Sequence, residues 1–131
     1  MANVQSQKVD FMVVDDDPDI CSVLTSYFES QGHTALSLQD ASKLLPWLEL
    51  NTCSAVVLDI YMPGLDGLTL LSRVRASHPR LPIVIFTGAG YDEDTLQTAL
   101  RLGANGYVSK GLKINEIYSA LIRAIGSTER Q

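Results

Sequence analysis

Four acids, a hydroxyl and an amine are the residues of this chain whose types and placement suit chemistry. Asp15, Asp16 and Asp17 stand together directly after the apolar run Phe11 to Val14, and Asp59 follows a second apolar run, Ala55 to Leu58. Thr87 follows a third run that begins at Ile83, and Ser109-Lys110 follows a fourth that contains Tyr107 and Val108. Carboxylates crowded together repel, which destabilises the folded chain unless something cationic offsets them. Lys110 is one candidate for that role, and a divalent metal held by oxygen ligands is the other. Magnesium suits the second case, because it takes one or two carboxylates, keeps several waters and accepts phosphate oxygens. A carboxylate nucleophile, a metal, an amine and a hydroxyl are together the parts needed to stabilise and hold a transferring phosphoryl group.

For these residues to meet, the elements that carry them must end at one place. Strand-like segments run from Phe11 to Val14, Ala35 to Leu38, Ala55 to Leu58, Ile83 to Phe86 and Tyr107 to Val108. Several are continuous apolar runs, as expected of parallel strands covered on both faces. The segments between them have helical periodicity. Asp17-Pro18 reads as an N-cap followed by proline at the first helical position, and Ile20, Val23, Leu24, Tyr27 and Phe28 then mark one helix face until Gln31-Gly32. Asp40 caps a second helix that Pro46 should kink or shorten. Asp66 or Gly67 opens a third, ending near Ser77 before His78-Pro79. Asp92, Glu93 and Asp94 favour the start of a fourth, and Gly103 suits its carboxyl end. Ile114, Ile117, Tyr118, Leu121, Ile122 and Ile125 form the stripe of a fifth, followed by a polar tail from Gly126 to Gln131.

Five strand–helix repeats imply an α/β fold, a parallel sheet between two helical layers joined by right-handed crossovers. In such folds ligands sit beyond the carboxyl ends of the strands. Four separate strands thus deliver acids, a hydroxyl and an amine to one sheet edge, and chance does not readily arrange that.

The bulk numbers agree with a single domain spanning residues 1–131, its core at about 8–125. The chain has 131 residues, 46% of them hydrophobic, enough for one sizeable core. No apolar stretch is long enough to cross a bilayer, and Met1 to Asp10 lacks the features of a signal peptide, so the cytoplasm is the expected location. A net charge of −5 without any basic run argues against direct nucleic-acid binding and favours a basic partner or a bound cation. Cys21 and Cys53 have no metal-ligand spacing and read as free structural thiols. His33 and His78 lie apart from the acidic motifs and are expected at the surface. Asp66-Gly67 is explained by turn and cap chemistry. Gly88-Ala89-Gly90 suggests a dinucleotide loop, but Glu93 stands at the third glycine position and the acids beside it repel a pyrophosphate.

The ordered motifs resemble those of response-regulator receiver domains of bacterial two-component systems. Val13-Val14-Asp15-Asp16-Asp17-Pro18 looks like their acidic pocket, and Asp59-Ile60-Tyr61-Met62-Pro63-Gly64-Leu65-Asp66-Gly67 resembles their phosphorylation-site segment. Phe86-Thr87-Gly88 and the segment from Gly103 to Lys110 complete the set in order. The resemblance implies a flavodoxin-like sheet of order 2-1-3-4-5, an order for which general accounts of such folds already cite a chemotaxis member of this family. It implies Asp59 as phosphoacceptor, and Asp15, Asp16, Asp59 and the Tyr61 backbone carbonyl as the Mg2+ set. Thr87 and Lys110 would hold the phosphoryl group, with Thr87 and Tyr107 as switch residues. The implied partners are a histidine kinase or phosphotransfer protein, an output domain or partner reached through the face of the fourth helix, fifth strand and fifth helix, and a second copy in a homodimer. Catalysis would be limited to the domain's own phosphorylation and dephosphorylation.

One position departs from the family pattern: Gly111 follows Lys110 where many receivers have proline, so a different loop is expected there. Tyr61 and Ala89 occupy the two positions thought to tune dephosphorylation, and bulky Tyr61 is expected to shield the acyl phosphate. Two other functions compete. A docking module with an intact pocket would bind its partner independently of phosphate. A haloacid-dehalogenase-like phosphatase is suggested by Asp15-Asp16-Asp17, but Pro18 follows at once and the chain has no room for a cap domain.

Overall fold

The computed structural model describes residues 6–61, 66–87, 93–109 and 114–129, without the side chains of Thr87, Thr128 and Glu129. Its strands are β1 (Lys8–Val14), β2 (Ala35–Leu38), β3 (Thr52–Leu58), β4 (Ile83–Thr87) and β5 (Gly106–Ser109). Its helices are α1 (Pro18–Ser30), α2 (Leu44–Leu50), α3 (Gly67–Ser77), α4 (Glu93–Arg101) and α5 (Ile114–Glu129). The strands form one parallel sheet in the order β2-β1-β3-β4-β5. This is the expected (βα)5 flavodoxin-like architecture.

Alternation along each strand divides the core in two. Phe11 and Val13 face one side with Ala55, Val57, Val84 and Phe86, where they meet Leu24 and Phe28 of α1 and Ile117 and Leu121 of α5. Met12 and Val14 face the other side with Val56, Leu58 and Ile85, against Leu44 and Leu48 of α2, Leu71 and Val74 of α3 and Ala99 of α4. Both faces are covered, which is why the central strands are apolar throughout rather than alternating.

The helix starts follow their cap residues. The Asp17 carboxylate accepts the Asp19 N–H at 2.9 Å with Pro18 at the first helical position. Asp66 accepts the Leu68 N–H at 3.1 Å and the Thr69 hydroxyl at 2.7 Å. Asp40 caps a 3₁₀ turn, Ala41–Lys43, ahead of a seven-residue α2. Pro46 is the third residue of α2, inside the first turn, where its missing N–H leaves no helical bond unmade; the helix is short, as expected. At the end of α4, Gly103 takes a φ of +117°, and the Ala104 N–H reaches back to the Ala99 carbonyl at 3.0 Å.

Two expectations need correction. The segment from Gly126 is not wholly a tail, because α5 continues through it to Glu129. One internal glycine costs a helix about 1 kcal/mol, and no proline follows to stop it. Nor is His33 a plain surface residue. Its Nδ1 lies 2.9 Å from the Asp10 carboxylate and its Nε2 lies 2.7 Å from the Tyr118 hydroxyl, while its ring stacks at a tilt on Phe11. His78 is also partly enclosed, with its Nδ1 buried.

Candidate functional site

Strand register decides which acids meet. Val14 of β1 pairs with Leu58 of β3, so the next residues, Asp15 and Asp59, emerge side by side at the carboxyl edge of the sheet. The Asp59 N–H donates to the Val14 carbonyl at 2.9 Å, and the Asp15 N–H donates to the Leu38 carbonyl at 3.1 Å, which extends the ladder by one residue. Both acids are buried, at 1% and 3% exposure, whereas Asp16 is exposed. One carboxylate oxygen from each of Asp15, Asp16 and Asp59 can be chosen so that all lie within 4.8 Å of one another.

Local hydrogen bonds aim these groups. The Asp17 N–H donates to Asp15 Oδ1 at 2.9 Å, and the Tyr61 N–H donates to Asp59 Oδ1 at 2.9 Å. Each acid thus closes a turn on the residue two positions on, the usual behaviour of aspartate at a strand end. The Cys21 thiol donates to the Asp15 carbonyl at 3.2 Å and fastens α1 beneath the cluster. Burial pushes the Cys21 thiol above its usual range and the Cys53 thiol up to about 12, so neither is a thiolate competing for a metal or a phosphoryl group.

Among the described residues the donor set is three carboxylate oxygens, without nitrogen or sulfur, which makes a hard site. Such a set suits magnesium or calcium rather than zinc. Two ligands are fixed by the sheet and the third faces solvent, which suits an ion that retains waters. The residues present therefore fit the group.

The other expected site residues are described unevenly. Thr87 ends β4, its Cα paired with Ser109, so its backbone reaches the same edge as the acids. Lys110, Gly111, Met62-Pro63, Asp92 and the Gly88-Ala89-Gly90 segment lie outside the described residues. Tyr61 is 43% exposed beside Asp59, and Tyr107 is 36% exposed on β5.

Sequence reasoning assigned Gly67 to turn chemistry and missed its second role. A Cβ there would overlap the backbone of Ile60, standing 2.6 Å from its carbonyl oxygen, so α3 starts in direct contact with the residue after Asp59. The available signal was the glycine's place inside the helix, where turn chemistry alone does not require one.

Comparison with known proteins agrees with this geometry. Residues 11–122 match the family model described as the response regulator receiver domain. The chain is 36% identical over 119 residues to the DNA-binding transcriptional regulator NtrC of Escherichia coli (strain K12), which covers 91% of this chain and 25% of NtrC. It therefore spans about a quarter of the length of the NtrC relatives it matches, and receiver domains are often fused to output domains in this way. The receiver domain of NtrX from Brucella abortus superposes with a TM-score of 0.82 at 33% identity, covering 89% of this chain and 98% of that one. A CheY-like receiver from Methanospirillum hungatei shares the fold, with a TM-score of 0.85 at 20% identity over 95% of this chain and 98% of that one. With the sheet, the acid triad and the family model in agreement, the chain belongs to the response regulator receiver domains, phosphoacceptors of two-component systems rather than conventional enzymes, and Asp15, Asp16 and Asp59 form its acidic pocket for phosphorylation.

Proposed function

We propose that Asp59 is the residue that carries the phosphoryl group. The observation that supports it best is the buried position of Asp59 at the end of β3, with two further carboxylates within 4.8 Å. An Asp59 carboxylate oxygen attacks the phosphorus of a phosphohistidine, on a histidine kinase or a phosphotransfer protein, or of a small acyl phosphate. The new O–P bond forms as the P–N or P–O bond breaks. The departing electron pair stays on the donor, which then takes up a proton. Asp15, Asp16, Asp59 and the Tyr61 carbonyl would hold Mg2+, which would supply charge stabilisation to the phosphoryl oxygens.

In this reading the remaining residues orient and hold. The Tyr61 N–H donates to Asp59 Oδ1 at 2.9 Å and so orients the carboxylate for attack. Thr87 contributes a hydroxyl from the end of β4, and Lys110 pairs with the added dianion. Tyr107 responds on the face of α4, β5 and α5, where a basic partner, an output domain or a second copy would sense the change. Residues 1–131 act as one receiver unit, in the cytoplasm where kinases of this type phosphorylate their targets. No helix among the described residues is long and apolar enough to cross a membrane. Incubation with Mg2+ and acetyl phosphate, read by intact mass, should add one phosphoryl group to the wild type and none to Asp59→Asn. Equal uptake by both proteins would refute the assignment.

A further inference from the structure

The carboxyl end of α4 is tied to α3 and to the base of the sheet by one arginine. Arg75, in the last turn of α3, donates from Nε and Nη2 to the Gly103 carbonyl at 3.1 and 2.6 Å. Its Nη2 also reaches Asn105 Oδ1 at 3.0 Å, and Nη1 reaches the His78 carbonyl at 3.1 Å. Asn105 in turn joins β4: its Oδ1 accepts the Ile83 N–H at 2.8 Å and its own N–H donates to the Ile83 carbonyl at 2.8 Å. The guanidinium is half-buried, which lowers its pKa below the ordinary arginine value, and it meets no carboxylate among the described residues. It serves instead as a planar donor to carbonyls.

The glycine at the junction completes this arrangement. A Cβ on Gly103 would stand 2.7 Å from both Cγ and Nε of Arg75, and φ is +117° there. The chain therefore passes close over the arginine in a conformation that other residues avoid. These contacts lie at the amino ends of β4 and β5, the edge of the sheet opposite Asp59. Toward the other end of α4, Glu93 and Asp94 are exposed and the first buried side chain is Leu96. The Gln97 amide and the Arg101 guanidinium bond back to Glu93 and Thr98 within the same helix.

We propose that Arg75 makes the Gly103–Asn105 junction a fixed pivot, so that α4 moves by tilting about its carboxyl end rather than by sliding along the sheet. The pivot exists in the unmodified protein. Its use as part of the switch rests on the phosphoacceptor reading given above.

Backbone hydrogen exchange read by mass spectrometry separates these claims. In the unmodified protein, amides at 102–105 should exchange about tenfold or more slowly than those at 94–98, since they are held by an anchor of charge-assisted bonds. Arg75→Ala should erase that difference by accelerating 102–105 while α1 and α5 keep their rates. Arg75→Lys retains charge without the planar pair of donors and should fall between. If Arg75→Ala does not fold, the lysine variant and Asn105→Ala still decide the matter, each predicted to loosen 102–105 selectively. After Mg2+ and acetyl phosphate, exchange should change at 94–98 and not at 102–105 in the wild type, whereas in the arginine variants the change should reach both segments. Equal protection along α4 before modification, uniform acceleration of the whole chain in the variants, or equal change at both ends of wild-type α4 would each overturn the pivot. Failure to gain a phosphoryl mass would instead defeat the phosphoacceptor reading, leaving the exchange difference in unmodified protein to judge the pivot.

Discussion

Replacing Asp59 with asparagine should make the metal-free protein more stable, although it removes the residue proposed to carry the phosphoryl group. Asp59 is buried, and its carboxylate lies within 4.8 Å of an oxygen of Asp15 and of Asp16. Two unit charges at that separation repel by roughly 3.5 kcal/mol at an effective dielectric near 20, and by about 0.9 kcal/mol when fully water-screened. Asparagine keeps an acceptor for the Tyr61 N–H, now bonded to Asp59 Oδ1 at 2.9 Å, and has nearly the same shape. The substitution therefore removes repulsion and keeps the acceptor for the Tyr61 N–H. Loss of attraction to nearby cations offsets part of the gain, so about 1–3 kcal/mol is expected. For a domain of this size that is an increase in Tm of roughly 4–12 °C. Thermal melts followed by circular dichroism, in a chelating buffer and again with millimolar Mg2+, provide the assay. Without metal the asparagine variant should melt higher. With Mg2+ the wild type should rise and the variant rise less, having lost one ligand, so that the gap narrows. A variant that melts at or below the wild type in chelator would refute the claim that the three carboxylates form a strained, cation-seeking cluster.

Three further outcomes follow from the same geometry. Gly67→Ala places a Cβ against the backbone of Ile60, where no side chain is available to move, and should destabilise by about 1–3 kcal/mol in urea unfolding while slowing phosphoryl uptake; a variant as stable as wild type would refute the close approach. Hydrogen bonds from the Thr69 hydroxyl, then from the Thr69 and Leu68 N–H groups, hold the Asp66 carboxyl below its usual pKa. Because the folded-state value is depressed, the stabilisation is present above the unfolded pKa of about 3.9 and is lost as pH falls through the lower, folded one; acid unfolding of Asp66→Asn should therefore show a weaker pH dependence than wild type in that window. Tyr61 stands beside Asp59, and Tyr61→Asn or Tyr61→Glu should release phosphate faster by giving water a polar approach to the acyl phosphate; equal or slower decay in a phosphate-release assay would remove the shielding role.

Local chemistry was legible wherever a short stretch of chain decides its own structure. Asp17-Pro18 caps α1 as the residues require, Gly103 ends α4 in a left-handed conformation, and Pro46 keeps α2 short. Each outcome follows from dihedral limits and the backbone donors within one turn. The order of apolar strands and amphipathic helices likewise determined the class of fold, because parallel strands covered on both faces leave few alternatives. The α5 boundary was misread because cooperative helix growth passes a single glycine when nothing else stops it.

Contacts between distant segments were decided only by tertiary structure. That Asp15 and Asp59 emerge together depends on Val14 pairing with Leu58, a register fixed by two core faces at once. The bond from His33 to Asp10 and Tyr118 joins residues 23 and 85 positions apart, and no local pattern announces it. Gly67 against Ile60 and Arg75 over Gly103 are close approaches of the same kind. The sequence by itself determined which groups can do chemistry and at which strand ends they lie, because those properties belong to residue types and short-range conformation. The tertiary structure alone decided their distances, their burial and the supports behind them, because these depend on how separate elements pack.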